Sequence, residues 1–341
     1  MDDSAPYREG GGERVMIAHG GGGQLAWRLL DEVILPAFGR GAAPLCDAAP
    51  IPRADRLVLT TDSYVVKPLF FPGGDIGSLS IHGTLNDLAV CGAEPLALSV
   101  SLIIEEGLPI DTLRRILRSA AAAAERCGVT VVTGDTKVVP RGQADGMFIT
   151  TAGVGKRLAQ PSPARIARDD VVLLSGGIAE HGMAVMSARE GLAFDTSIVS
   201  DSASVWPLVK ALLDAGVDVH AMRDPTRGGL AACCNELAAG AGATIELEQS
   251  AIPLKPVVAA ACEMFGLDPL TVANEGKFIA FVSPADADKA LHILTTTPGG
   301  KDAAVIGRVV APREKPVILR TRYGGERIVE MPYGEDLPRI C

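Results

Sequence analysis

The last residue of the sequence is a cysteine, and the residues that could act with it are scattered acids, a lysine and glycine-rich turns. Cys341 follows Leu337-Pro338-Arg339-Ile340, and the stretch from Met331 to Asp336 has neither helical nor strand periodicity. Such a segment is either a frayed end or a short arm that carries a thiol. Fully extended, the residues after Met331 reach roughly 30 Å, enough to enter a neighbouring cleft. Prenylation of the C-a-a-X type is excluded, because it needs the cysteine four residues from the end.

The acids stand at strand ends and helix starts. Asp62 closes an apolar run, Asn86 and Asp87 fall on a helical pattern, and Asp135 sits in Gly134-Asp135-Thr136-Lys137. Asp224 precedes Pro225-Thr226-Arg227-Gly228-Gly229. An acid ahead of a helix serves either as an N-cap or as an oxygen ligand. Dispersed carboxylates suit Mg²⁺, which keeps several waters and shares its shell with phosphate oxygens. Lys137 and the charged turn Asn274-Glu275-Gly276-Lys277 add acid–base chemistry between apolar segments; an ion pair joining two domains is the alternative. Near the start, His19 and Gly20, Gly21, Gly22, Gly23 precede an apolar helical pattern at 25–30. This is a flexible lead-in or a cradle of backbone N–H groups for phosphate, and it is not a Walker A loop.

These residues need a scaffold of α/β type. Strands are expected at 57–61, 96–104, 129–133 and 146–154, with helices at 75–90, where Asp75 caps, and at 109–125. Pro161, Ser162 and Pro163 mark a linker. Beyond it, strands at 171–175, 244–247, 278–282 and 305–310 alternate with helices at 182–189, 230–239, 257–265 and 285–295. The expected organisation is a Gly-rich segment and helix at 1–40, an N-terminal domain at 41–160, a C-terminal α/β domain at 164–330 and a mobile tail at 331–341.

Composition limits the partners. The 341 residues carry a formal charge of −9, with 48% apolar and 4% aromatic residues. There is no basic surplus to displace phosphate counterions, so nucleic acid is not an expected partner. No membrane span and no signal peptide are expected, and the reading is of a cytoplasmic protein. Seven cysteines without a C-x-x-C pair indicate neither a disulfide framework nor a zinc knuckle; Cys91, Cys127, Cys233, Cys234 and Cys262 read as small core residues.

Taken together, His82-Gly83-Thr84-Leu85-Asn86-Asp87, residues 133–137, Ser175-Gly176-Gly177, residues 224–229, Asn274 to Lys277 and the closing Pro338-Arg339-Ile340-Cys341 resemble the HypE family of hydrogenase maturation factors, which are carbamoyl dehydratases. The Asp and Gly turns alone resemble the wider group of aminoimidazole ribonucleotide synthetase, selenophosphate synthetase and thiamine-monophosphate kinase. The resemblance implies a two-domain fold whose N-terminal strands form a barrel across a homodimer, with ATP between the domains. It implies Asp62, Asp87 and Asp224 as Mg²⁺ ligands. It also implies a nucleotide site made of Gly20 to Gly23, Asn86, Asp135, Thr136, Thr226 and Gly228, and as partners the carbamoyltransferase HypF and the iron scaffold HypC-HypD.

The implied chemistry is dehydration of a carbamoyl group on Cys341, from thiocarboxamide to thiocyanate, with the oxygen leaving as phosphate. Glu275 is the expected base and Lys137 its partner, or the reverse. Arg339 would pair with the terminal carboxylate or a phosphate, or stand exposed without a partner. Two other readings compete: a small-molecule kinase or ribonucleotide-type synthetase, and a nucleotide-binding scaffold.

Overall fold

The computed structural model describes residues 23–29, 31–32, 49–51, 56–192, 198–334, 337 and 339–341. A five-stranded sheet forms the first half. Its strands are β1 (Ala49–Pro50), β2 (Leu57–Tyr64), β5 (Ala93–Glu105), β6 (Thr130–Val139) and β7 (Met147–Arg157), in the order β1-β2-β7-β5-β6. A short hairpin of β3 (Phe70–Phe71) and β4 (Gly74–Asp75) lies beside it. Alternation is clean along β2. Val58, Thr60 and Tyr64 are buried on one side, and Leu59, Thr61 and Ser63 are exposed on the other, as expected of a strand with one covered face.

Two helices follow α1 (Gln24–Leu29) and cover that face: α2 (Ile76–Val90) and α3 (Ile110–Arg126). Asp75 caps α2, accepting from the N–H groups of Gly77 (2.8 Å) and Ser78 (3.0 Å), while the Ser78 hydroxyl accepts from the Asp75 N–H. Such a capping box satisfies helix-start donors that would otherwise be orphaned. The helix is buried nearly all round, because it lies between the first sheet and the second domain. Gly77 permits a close crossing: a Cβ there would stand 2.3 Å from the Ile116 carbonyl oxygen of α3. No helix among the described residues covers the sheet's other face, where Leu59 and Ile103 are exposed; edge strand β6 is exposed from Thr130 to Val138.

The second half is a seven-stranded sheet of β8 (Val171–Leu174), β9 (Val219–Arg223), β10 (Thr244–Glu248), β11 (Ile279–Val282), β12 (Ala304–Val310), β13 (Val317–Arg320) and β14 (Glu326–Ile328). Their order is β14-β13-β10-β12-β8-β11-β9, antiparallel throughout except for β10 with β13. Helix α4 (Glu180–Glu190) follows β8, and α5 (Trp206–Asp214) precedes β9. After β9 come α6 (Gly229–Ala241), α7 (Pro256–Phe265) and α8 (Ala287–Thr296). Side chains of α6 pack on Val172, Leu174 and Phe281 of the sheet. Those of α5 and α8 pack on its reverse, with Leu173, Phe278 and Ala280, and Ala89 and Val90 of α2 join that cluster.

A further apolar core spans both halves. It unites Tyr64, Val66, Phe71 and Ile76 with Met183, Ala184, Val258 and Cys262, and also holds Leu337, Ile340 and Cys341.

The strand β6 departs from expectation. Residues 134–137, read as a turn, lie inside it and pair in parallel with Val100 to Ile103 of β5. Gly134 is required there by close approach, since a Cβ would meet the Val100 carbonyl oxygen at 2.2 Å.

Candidate active site

Strand β2 and helix α2 bring the first two acids together. Asp62 lies on the helix-facing side of β2, where its Oδ2 accepts from the Tyr64 hydroxyl at 3.0 Å. Asp87, in the last turn of α2, accepts from the Thr60 hydroxyl at 2.7 Å. The adjacent Asn86 is buried and fully engaged. Its amide donates to the carbonyls of Ala203 (3.0 Å) and Glu275 (3.1 Å) and accepts from the Val205 N–H (2.8 Å). Rather than facing a nucleotide, its side chain braces the first domain against the second.

The opposite wall comes from two loops of the second domain. Asp224 is buried ahead of Pro225, whose carbonyl receives both the backbone and side-chain N–H groups of Asn274. Thr226 is half-buried and Gly228 caps α6 in the left-handed conformation at φ +75°. Gly229 must be glycine, because a Cβ would lie 2.5 Å from the Leu270 carbonyl oxygen. Asn274 fixes the start of the next turn, accepting from the Ala179 N–H at 2.7 Å.

That turn presents Glu275, which is 3% exposed. Burial pushes its carboxyl well above the usual range, and the charges of Asp224, Asp201 and Asp62 push in the same direction against Arg227. A carboxyl held in this way binds a proton more tightly once ionised, which suits a general base. Tyr64, also buried, is pushed up by desolvation and then by Asp62, Glu275 and Asp87. Asp62, Asp87, Asp224, Asp201, Glu275 and Tyr64 therefore share one electrostatic neighbourhood.

Asp201 is the member that sequence reasoning missed. Its carboxylate accepts from the N–H groups of Glu275 (3.3 Å) and Gly276 (3.1 Å) and pairs with Lys277 at 3.4 Å. A polar run such as Ser200-Asp201-Ser202 has no periodic signature, so only tertiary partners reveal it.

The tail docks against this site. Beyond Tyr64 the chain leaves β2, and the tail pairs with it antiparallel: the Val65 N–H donates to the Cys341 carbonyl at 3.0 Å and the Lys67 N–H to that of Arg339 at 3.2 Å. Arg339 does not stand free in solvent. Its Nε donates to the Val65 carbonyl at 3.0 Å and its guanidinium pairs with Asp145, 5.8 Å above the Phe148 ring. Arg189 donates to the Arg339 carbonyl at 2.8 Å. Ile340 and Cys341 are buried, Cys341 at 9% exposure. The strand that carries Asp62 thus continues into the segment that holds the thiol.

Lys137 is not brought to Glu275 within one chain. Alternation along β6 sends Asp135 and Lys137 to the uncovered face of the sheet, opposite the Asp62 side, where Lys137 is exposed and bonds Asp135 at 2.7 and 2.9 Å. Thr136 takes the other face. Gly23 is buried against the tail, and Gly20, Gly21, Gly22 and His19 lie outside the described residues.

The acids fit a hard cation that also binds phosphate. Asp62, Asp87 and Asp224 offer oxygen alone, and the field that drives up Glu275 is one that a divalent ion offsets. Among the described residues, no three acids, histidines or cysteines converge to chelate an ion unaided, so an ion held there would need a ligand's own oxygens to complete its shell.

Comparison with known proteins gives this geometry a family. Residues 45–156 match the N-terminal domain and residues 167–319 the C-terminal domain of AIR synthase related proteins. The carbamoyl dehydratase HypE of Rhizobium leguminosarum bv. viciae is 50% identical over 96% of this chain and 95% of its own. That of Escherichia coli K12 is 45% identical over 96% of this chain and 99% of its own. The chain belongs to the HypE family of carbamoyl dehydratases.

Solved HypE structures superpose on most of this chain. A HypE in complex with ATP gives a TM-score of 0.82 at 42% identity, covering 96% of this chain and all of the other. HypE in a HypE-HypF complex gives 0.85 at 45% identity, covering 89% of this chain and 99% of the other. Thiamine monophosphate kinase from Aquifex aeolicus, at 18% identity and a TM-score of 0.67, shares the fold alone.

Proposed function

We propose that this chain is an ATP-dependent carbamoyl dehydratase whose substrate is a carbamoyl group on its own Cys341, converted from thiocarboxamide to thiocyanate to supply a cyanide ligand for [NiFe] hydrogenase iron. Membership of the HypE family supports the reaction. The observation that carries the residue assignment is the buried, antiparallel docking of the tail beside Asp62 and Tyr64, which brings the thiol to the acidic cleft.

The reaction has a leaving-group problem. Hydroxide leaves poorly, so the γ-phosphoryl of ATP goes to the carbamoyl oxygen, the C–O bond breaks with phosphate as leaving group, and the nitrogen gives up both protons as the nitrile forms. Glu275 is the base proposed for the nitrogen, and Asp201 holds its turn. Tyr64 orients Asp62. Mg²⁺, held by Asp62, Asp87 and Asp224, would supply charge neutralisation for the phosphates. Gly23 with the preceding glycines, Thr226 and Gly228 are proposed to border the nucleotide. Burial of the tail excludes water from the reacting group.

Lys137 and Asp135 fit this scheme through a second copy. The uncovered sheet face and the exposed edge strand β6, with Val131, Val132 and Val138, support a homodimer that covers them. A HypF-type carbamoyltransferase is the proposed loader of Cys341 and HypC-HypD the proposed acceptor. No described helix is long and apolar enough to cross a membrane. The chemistry needs Cys341 as a thiol, which suits the reducing cytoplasm.

The test is a mass spectrum. After loading with carbamoyltransferase and carbamoyl phosphate, addition of ATP should remove one water from the peptide ending in Cys341, and Cys341→Ala should abolish coupled ATP turnover. Undiminished turnover in that variant would point instead to a kinase acting on a diffusible substrate.

A further inference from the structure

Three consecutive residues tie together three parts of the cleft. Asp201 holds the Glu275 turn, as above. Ser202 meets His82 of α2 at 3.0 Å, Oγ to Nδ1. Ser200 meets His181 of α4 at 2.8 Å, also at Nδ1, and the other ring nitrogen of His181 lies 2.8 Å from the carbonyl oxygen of Ile340 in the tail.

The hydrogens on this chain are fixed by chemistry. A carbonyl oxygen only accepts, so Nε2 of His181 carries the proton and donates to Ile340. In the neutral ring Nδ1 must then accept, and the Ser200 hydroxyl is its donor. The Ser200 oxygen in turn accepts from the Ser202 N–H at 3.1 Å. Three bonds therefore run one way, from the 200–202 segment through the imidazole to the tail. The ring is completely buried and stands edge-on to Phe71 at 5.3 Å and 90°, so it cannot turn to find another partner. Burial lowers its proton affinity and keeps it neutral, as the geometry requires.

We propose that His181 is the receptor for the docked tail: a positioning residue that fixes Ile340, and with it Cys341, and that transmits docking through Ser200 to the segment holding the Glu275 turn. The consequence for Glu275 rests on the reading of Cys341 as substrate carrier; the docking role does not. When the tail leaves, Nε2–H loses its acceptor inside the core, so an empty receptor is disfavoured and the ring no longer anchors Ser200. The base turn is then set when the tail is in place.

The experiment compares two substitutions of similar volume in the full-length protein. His181→Gln keeps a donor directed at Ile340, and His181→Met fills the space without one. Cys341 alkylation by iodoacetamide is followed on the C-terminal peptide, with half-buried Cys91 and Cys127 as internal references. Met should raise the Cys341 rate about tenfold, the effect of one buried hydrogen bond, whereas Gln should stay within about twofold of wild type. On the carbamoylated protein at saturating ATP, Met should lower kcat and Gln should largely restore it.

Equal alkylation in two folded variants would overturn the proposal, since a space-filling role does not distinguish them. Should the Met variant fail to fold, Ser200→Ala decides: it must raise Cys341 alkylation, and protection equal to wild type overturns the receptor role. Alkylation requires no carbamoyl group, so if wild type never loses water the proposed function fails while this comparison still stands.

Discussion

Lys137 and Asp62 belong to one sheet and project from opposite faces of it. Asp62 pairs with Thr151 and Val100 aligns Thr151 with Gly134, so Lys137 lies three strands across and one face away. In the proposed homodimer, a residue so placed would serve the Asp62 cleft of a different copy. Mixing Lys137→Ala chains with Glu275→Ala chains should then regain activity that neither has alone, since half the sites in a mixed dimer keep one intact Lys137 and one intact Glu275. Mixtures as inactive as the separate variants would confine Lys137 to a structural role. Subunit exchange followed by a dehydration assay measures this.

Glu275→Gln should separate chemistry from stability. Loss of the base should lower dehydration by about 10²- to 10⁴-fold while ATP binding and tail docking persist. The folded carboxyl titrates above its unfolded value. Its stability contribution is therefore complete below the unfolded value of about 4.3 and is lost as pH rises through the folded one. The Gln variant should melt at the same temperature as wild type in acid and at a progressively higher one as pH rises. A constant gap in Tm across pH would contradict this.

The histidines respond in the opposite sense. Burial, and secondarily Arg126, lowers His82 from 6.5 to about 4, and burial lowers His181 as well. A depressed folded pKa gives stability that is full above the unfolded value and is lost as pH falls towards the folded one. Below pH about 6.5, His82 alone should withdraw on the order of 3 kcal/mol by the time pH about 4 is reached. Carboxylates also titrate there, so the measurement is a difference: urea midpoints of wild type and His82→Gln should converge as the medium is acidified. Parallel curves would show that His82 does not titrate in this window.

Much of this architecture is legible in the residues. The strand beginning at Leu57 and the Asp75 cap before α2 follow local rules, and both form where expected, the strand running on to Tyr64. Local rules fail where the partner is remote. Gly134 and Asp135 are turn formers, yet they lie within an edge strand, because Gly134 alone permits contact with Val100. Helix α5 and strands β9 and β13 are short and draw their stability from burial in the second sheet, and the exposed β14 is held by its pairing with β13. The tail reads as an arm from its proline and glycine content, but its docking depends on Val65, His181 and Arg189, which no local pattern connects to it.

Gly23 links the glycine-rich start to that arm. The N–H groups of Gln24 and Leu25 donate to the carbonyls of Pro332 (2.9 Å) and Tyr333 (3.3 Å), so the first helix clasps the base of the tail. A Cβ on Gly23 would stand 2.1 Å from the Pro332 oxygen and 2.9 Å from its carbon. Both are backbone atoms, so no side-chain rotation relieves the overlap, and Gly23→Ala must part the helix from the tail. Two hydrogen bonds of about 1 kcal/mol each are lost there, while the contacts of residues 339–341 with Val65, Lys67 and His181 remain. The variant should therefore show faster amide exchange at Gln24 and Leu25, with Cys341 alkylation rising only about threefold and the melting of both sheets unchanged. Wild-type exchange at those two amides would mean that the clasp does not form in solution.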